Sequence, residues 1–281
     1  MNISPLFIMK SIDTLVKDIY DLFDPLVDVE LNEKEVDAHL DSFTESLKET
    51  LKNFLNEVPT DRRNLRLSAI GKPARQLWYG KNSKEKPKPL EPSTRVKFLY
   101  GHMLEDLLIL FSRLAGHTVT DLQKTVHVNG IKGHQDCVID GVLVDCKSAS
   151  GRSFEKFSKN TLYKDDPFGY IAQISAYAEG NGVDEAAFLA IDKQNGSICL
   201  TPVHSLEMIN AKERIDYLKG AMDQDNPPDR CYDDVADGME LLRTDIESLT
   251  LNYKFGYITM DPNNLSYLGP YTSASSAIDM L

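Results

Sequence analysis

Over residues 125–147 the sequence reads TVHVNGIKGHQDCVIDGVLVDCK, with apolar and polar residues largely alternating. A period of two belongs to β-strands, whose successive side chains point to opposite faces. Two dipeptides interrupt the run, Asn129-Gly130 and Asp140-Gly141. A type I′ turn needs a positive φ at both central residues, and Asn-Gly and Asp-Gly accommodate that best. Three short strands are therefore expected, at 125–128, 131–139 and 142–147, joined by two-residue hairpins. This meander excludes an all-helical bundle and requires a sheet at the centre of the chain.

The second turn also fixes a register. If Asp140-Gly141 is a two-residue loop, Ile139 faces Val142, Val138 faces Leu143 and Cys137 faces Val144. Extending that ladder sets Asp136 opposite Asp145 and His134 opposite Lys147, all four on one face. Two carboxylates directly opposite each other destabilise a sheet. They become favourable when a divalent cation lies between them, and hard oxygen donors suit Mg²⁺ or Mn²⁺. Lys147, two residues past Asp145, would land beside the same ion. A bulged turn would shift the pairing by one and spoil the arrangement.

Around this meander the period is helical. Residues 9–24 and 33–57 read as amphipathic helices, the second with Val36, Leu40, Phe43, Leu47, Leu51 and Leu55 at three- and four-residue steps. Residues 68–79 are expected to be helical and carry Lys72, Arg75 and Trp78, the single tryptophan. Residues 81–93, polar with three prolines, read as a loop. A long helix is expected over 94–115, with Val96, Tyr100, Leu104, Leu107, Leu108 and Phe111 as its apolar stripe and Gly116 ending it. Beyond the meander, 167–179 and 206–222 read as helices, and 186–192 and 197–201 as strands flanking Asn195-Gly196. The last 50 residues are less regular. This order implies an α/β core with a helical N-terminal extension.

Charge is distributed unevenly. The 281 residues carry a formal charge of −12, which as a whole argues against a general nucleic-acid coat and suggests neutral or basic substrates. Residues 1–60, however, hold 13 acids and 5 bases, whereas residues 61–100 hold 3 acids and 11 bases. A basic island inside an acidic chain is either a solvated loop or a local surface for a polyanion. Cys137, Cys146, Cys199 and Cys231 are too few and too scattered for a disulfide framework, which favours a reducing, cytoplasmic compartment. No apolar run reaches the roughly 18–20 residues of a membrane helix. The segment MNISPLFIMK lacks the features of a secretory signal.

Four spaced motifs resemble those of PD-(D/E)XK nucleases, in the RecB-like and phage-exonuclease branch. They are Gly101-x-x-x-Glu105, Gly133-His134-x-Asp136, Asp145-x-Lys147 and Gln173-x-x-x-Tyr177. The resemblance covers about residues 66–180, with a weaker echo at 226–238. It implies a restriction-endonuclease-like fold, a central mixed β-sheet flanked by helices, with the helical extension at 1–60. The nuclease core would span 61–225, its basic segment 61–100 receiving DNA, and a C-terminal extension would follow at 226–281.

The resemblance also implies roles. Glu105, Asp136, Asp145 and Lys147 would be catalytic. Asp136, Asp145, Glu105 and the backbone carbonyl of Cys146 would hold Mg²⁺ or Mn²⁺. Lys147 would orient or help deprotonate the attacking water and stabilise developing phosphorane charge. Ser68, Lys72, Arg75, His134, Ser148, Gln173 and Tyr177 would contact DNA. His102 and His134 are open to either a metal-binding or a hydrogen-bonding role. Many members of the branch hold an iron–sulfur cluster with one cysteine before the core and three after it. Here no cysteine precedes the core and only Cys231 lies in the echo, so neither a cluster nor zinc is expected. The implied activity is a metal-dependent DNA exonuclease leaving 5′-phosphates, in phage or prophage recombination or processing. The alternatives are an endonuclease of the same fold and a non-catalytic DNA-binding module. DNA is the expected partner, with a phage single-strand-annealing or DNA-binding protein and a homo-oligomer as further candidates, and no membrane.

Overall fold

The computed structural model of the protein describes residues 10–56, 63–83, 90–229, 257–260 and 267–271. Cys231, most of the 226–238 echo, the middle of the 81–93 segment and the C-terminal tail lie outside the described residues. The chain divides into two compact units. One comprises Met1–Thr60, Arg66–Gly71 and Pro87–Ile215; the other comprises Asp61–Leu65, Lys72–Lys86 and Asp216–Leu281.

The first unit is an α/β assembly. Its helices are α1 (Leu15–Asp21), α2 (Glu33–Asn56), α4 (Pro92–Leu114), α5 (Arg152–Ser158) and α6 (Tyr170–Asn181). A five-stranded mixed sheet runs in the order β1 (Val119–Thr120), β4 (Cys137–Ile139), β5 (Val142–Ala149), β6 (Glu185–Asp192) and β7 (Ile198–His204). Only β5 and β6 are parallel, joined by the crossover through α5 and α6; the other pairs are antiparallel. A separate two-stranded ribbon pairs β2 (Thr125–Val128) with β3 (Ile131–His134). Leu15, Ile19, Leu108 and Ile109 pack with Cys137, Val144, Cys146, Leu189 and Ile191 to form the core on one face of the sheet. The opposite face of β5 carries Asp145 and Lys147 and looks towards α6, whose Gln173 and Tyr170 meet them. Buried His117 lies between Asp140 of the hairpin turn, at 2.5 Å, and Asp18 of α1, at 3.3 Å.

Both hairpin turns form as expected: Asn129, Gly130, Asp140 and Gly141 all have positive φ. The register at the second turn also agrees, with Ile139 opposite Val142, Val138 opposite Leu143 and Cys137 opposite Val144. The ladder then stops. Residues 131–139 form two strands in two different sheets, and His134 pairs with Thr125 rather than facing Lys147. The cause is Gln135, fully buried. Its N–H donates to Lys124 O at 3.1 Å and its side-chain amide to Asp121 O at 3.4 Å, while its side-chain oxygen accepts from Asn181 at 2.7 Å. Satisfying this amide turns the chain from one sheet into the other.

Other boundaries differ for local reasons. Residues 68–79 are not one helix: a 3-10 turn at Leu67–Ala69 and a helix α3, Ala74–Asn82, are separated by Ile70-Gly71-Lys72-Pro73. Proline drives the residue before it out of the helical region, so Lys72 lies in the break. Pro92 opens α4 at its first turn, so the 81–93 segment is helical at both margins. Gly116, with φ +79, follows α4 as expected. Of the expected α4 stripe only Leu108 is buried; Leu104, Leu107 and Phe111 are half-buried and Val96 and Tyr100 exposed, while Ile109, Leu110 and Ser112, outside the stripe, are buried. Residues 206–210 are not helical, and α7 runs Ala211–Met222. Two further strands, β8 (Tyr257–Met260) and β9 (Tyr267–Tyr271), pair in the second unit. Among the described residues, no helix is long and apolar enough to cross a membrane.

Candidate active site

Asp145 and Lys147 sit two residues apart on β5, so their side chains share a face. Asp145 is buried, and its Oδ2 forms an ion pair with Lys147 Nζ. Its Oδ1 accepts from the Gln173 amide at 3.3 Å, and Gln173 also reaches the Tyr177 hydroxyl at 3.4 Å. Gln173 and Tyr177 are one turn apart on α6, so the helix presents both to the strand. Tyr177 is buried and packs close to Gly133: a Cβ at Gly133 would lie 2.9 Å from the Tyr177 ring and 2.7 Å from Leu67 Cβ. Gly133 of the second motif is thus a packing requirement.

Asp136 reaches the same place by a route the ladder did not foretell. Its Oδ2 accepts the Cys146 N–H at 2.7 Å, so its side chain substitutes for a strand acceptor just before β4 begins. Glu105 enters from α4, and its Oε1 accepts from the Gln123 amide at 2.6 Å. His102 Nδ1 lies 3.8 Å from the other Glu105 oxygen, beyond hydrogen-bond range.

The carboxylates act on one another. Burial and the neighbouring Asp136 and Asp145 push Glu105 up to about 9. Burial and Asp145 push Asp136 up to about 7, opposed by Lys147 and the Cys146 N–H. For Lys147, burial acts downwards, but Asp145 and Asp136 more than offset it and hold the ammonium above its ordinary value. Burial raises Tyr177 to about 12, so the hydroxyl that accepts from Gln173 keeps its own proton.

Among the described residues, no three His, Cys, Asp or Glu side chains converge closely enough to hold a metal ion as they stand. The chemistry of the donors nevertheless fits a hard cation. Three carboxylates and one ammonium leave two negative charges when all are ionised, a surplus that hard oxygen donors can share with a cation.

Two participants had no sequence signal. Gln123, with φ +49, stands in a left-handed conformation that non-glycine residues adopt at a cost of about 1 kcal/mol or more. Its side chain holds Glu105 while its N–H donates to Asp136 O at 2.9 Å, so one residue touches both acidic arms. Tyr170, the first residue of α6, places its ring 5.0 Å from Lys147 Nζ, a cation–π contact.

The expected DNA contacts are dispersed. Ser68 is exposed on its 3-10 turn, and Ser148 follows Lys147 with its Oγ near Gly101 of α4. His134 is exposed on the ribbon, 3.4 Å from Thr125 Oγ1. Lys72 and Arg75 belong to the second unit. There Lys72 is exposed, whereas Arg75 donates to Pro228 O at 2.7 Å and to the Tyr79 hydroxyl at 3.2 Å. Trp78 likewise donates its indole N–H to Gln224 O at 2.8 Å. Arg75 and Trp78 thus brace α3 against the 224–228 segment. Cys137 and Cys146 are buried in the core on the face away from Asp145.

No family model matches the chain, and no curated protein matches it either. Among solved structures it is similar to the protein SSO0001, at 18% identity over 66% of this chain and 88% of that one, with a TM-score of 0.38. The alkaline exonuclease LHK-Exo from Laribacter hongkongensis matches at 13% identity over 58% and 91%, with a TM-score of 0.38. A phage-related exonuclease from Haemophilus somnus 129PT matches at 16% identity over 56% and 88%, with a TM-score of 0.37. Likenesses at this level assign no function to the chain.

Proposed function

We propose that the protein is a metal-dependent DNA exonuclease that hydrolyses phosphodiester bonds to leave 5′-phosphates. One observation carries the reading: Asp145 and Lys147 pair on one face of a central strand, with Asp136 and Glu105 electrostatically coupled to them. Three carboxylates, with burial and mutual repulsion holding protons on Glu105 and Asp136, would all ionise around one divalent cation, Mg²⁺ or Mn²⁺. Asp136, Asp145, Glu105 and the Cys146 carbonyl would hold it. Once bound, such an ion acidifies water and neutralises charge on phosphoryl oxygens.

The chain's own residues supply the rest. Lys147, held as an ammonium, has no free pair with which to accept a proton; its role is to orient the attacking water and stabilise phosphorane charge. Gln173 fixes the orientation of Asp145, and protonated Tyr177 backs Gln173. The Asp136 carboxylate is aimed by the Cys146 N–H, and Glu105 by Gln123. Ser68, Lys72, His134 and Ser148 are the remaining DNA-contact candidates. Arg75, already engaged with Pro228 and Tyr79, would reach DNA only by leaving those partners. The motifs favour a setting in phage or prophage DNA recombination or processing, in the cytoplasm, beside a single-strand-annealing partner.

A linear, end-labelled duplex incubated with purified protein and Mg²⁺ tests the reading. Stepwise release of 5′-mononucleotides, abolished by chelation, is the expected result. A single internal cut would reassign the protein as an endonuclease, and binding without cleavage would make it a non-catalytic DNA-binding module.

A further inference from the structure

Behind Lys147 stands a column of aromatic rings that begins in the core and ends in solvent. Phe188 and Phe157 are buried, their centroids 5.5 Å apart. Phe157 lies 5.8 Å from Tyr170, and Tyr170 stacks on Phe168 at 5.4 Å with 29° between the planes. Phe168, at the outer end, is 57% exposed. Tyr170 is also the ring over which Lys147 Nζ sits, so Phe168 is one ring away from the ammonium that pairs with Asp145.

The backbone beside Phe168 is tightly fixed. Gly169 has φ +74, and a Cβ built on it would lie 2.4 Å from Gly71 Cα; the reciprocal Cβ on Gly71 would lie 2.3 Å from Gly169 Cα. Asp166 caps the start of α6 by accepting the Ile171 N–H at 2.7 Å. Phe168 is therefore presented by a rigid turn. Residues 147–166 hold five bases, Lys147, Arg152, Lys156, Lys159 and Lys164, and three acids, Glu155, Asp165 and Asp166. Lys156 pairs with Asp165 at 2.6 Å and Lys159 with Glu155 at 3.1 Å. Tyr163, itself 54% exposed, carries the Lys164 ammonium 5.3 Å above its ring. A scattered exposed phenylalanine needs no explanation. One that ends an aromatic column, on a fixed turn and one ring from a phosphate-directed ammonium, has the makings of a nucleotide site.

We propose that Phe168 is a stacking platform that seats the terminal nucleobase of a single-stranded or frayed DNA end beside Lys147. The inference rests on the nuclease reading and adds to it the form of substrate: an unpaired terminal nucleotide whose base continues the column. Every base has a π face, so such a platform tolerates sequence, and one stacked base contributes about 5- to 100-fold in affinity.

The test compares wild type, Phe168→Ala and Phe168→Trp on two oligonucleotides, one intact and one abasic at its terminal position, with Mg²⁺. On the intact strand, Phe168→Ala is expected to raise KM about 5- to 100-fold with a smaller change in kcat, and Phe168→Trp to keep wild-type KM. On the abasic strand, wild type and Phe168→Ala should converge. Equal losses on both strands would mean that Phe168 only supports the fold, overturning the platform. A wild type that cleaves neither strand would sink the nuclease reading instead. The platform is then read by binding, with 2-aminopurine at the terminal position: wild type should quench it more than Phe168→Ala does, and equal quenching overturns the inference.

Discussion

On one side of the candidate site, Lys147 stands on a central strand with the Tyr170 ring beside its ammonium. Behind it lies α6, whose Ala172, Ile174, Ser175, Ala176, Tyr177 and Ala178 are buried. On the other side, Glu105 stands on α4 and is met by Gln123, from a loop whose Asp121 and Gln123 are both left-handed. Alongside α4 runs α2, 24 residues long with none buried. It is joined to α4 by contacts such as Ser46 to Asp106 at 2.8 Å, Arg113 to Ser42 at 3.2 Å and the Phe54 ring against His102. The Lys147 side is thus built by packing, the Glu105 side by polar contacts and backbone strain. Packed groups hold their geometry without a ligand. Strained polar loops hold it only while every partner is present.

Breaking the packed side should have the largest effect. Asp145→Asn keeps the shape and an acceptor for Gln173 but removes the charge facing Lys147. Cleavage is expected to fall by about 10³-fold, with the far-ultraviolet circular dichroism unchanged, by analogy with the loss of a single charge-stabilising group. Wild-type turnover in this variant would overturn the assignment of Asp145.

On the polar side, Gln123→Gly separates two roles of one residue. Glycine adopts the left-handed conformation without strain, so stability should hold or rise by about 1 kcal/mol. Glu105 meanwhile loses its aiming donor. Outer partners of metal ligands typically account for about 10- to 100-fold in affinity or activity. Half-saturation by Mn²⁺, followed as a rise in melting temperature, should therefore move to higher concentration by that factor. An unchanged Mn²⁺ requirement would show that the strained loop does not aim Glu105.

How much of this was legible depended on whether each signal was local. Asp140-Gly141 is a local signal, and it fixed the β4–β5 register residue by residue. The period of two then placed Asp145 and Lys147 on one face. The break at Gln135 was invisible because its partners, Asp121, Lys124 and Asn181, come from a loop and a helix elsewhere in the chain. Asp136 reaches the site through that break, by a side-chain bond rather than the expected cross-strand pairing. Gln123 and Tyr170 were unreadable for the same reason: a lone glutamine or tyrosine shows its role only when the fold brings Glu105 or Lys147 to it. The 3.6-residue period located α4 but overstated its buried face, because periodicity does not say where along a helix the neighbours end.

Proton linkage should reveal the same asymmetry with a smaller effect. Glu105 and Asp136 both titrate above their ordinary range, so the folded protein binds their protons more tightly than the unfolded chain. The resulting stability is complete below the ordinary carboxylate range. It is lost as pH rises through about 7 for Asp136 and about 9 for Glu105. The metal-free melting temperature should therefore drop by several degrees between pH 5 and 9. Asp136→Asn keeps an acceptor for the Cys146 N–H, and should flatten the lower part of that fall and stabilise the metal-free protein at pH 8. A melting temperature that rose with pH would contradict the mutual repulsion of these acids.

The smallest effect is expected where α2 meets α4. Ser46 Oγ donates to Asp106 Oδ1, one residue from Glu105, but Ser46 is exposed on a helix with no buried residue. A hydrogen bond of this kind contributes about 0.5–1.5 kcal/mol at most, and water can replace it where the hydroxyl is exposed. Ser46→Ala should thus change stability by less than about 1 kcal/mol and turnover by less than about twofold, measured by denaturant unfolding and end-label release. A tenfold loss of turnover with stability intact would make α2 a working part of the Glu105 side. The contrast between a packed and a polar half of the site would then give way to a site whose acidic arm extends into the N-terminal helix.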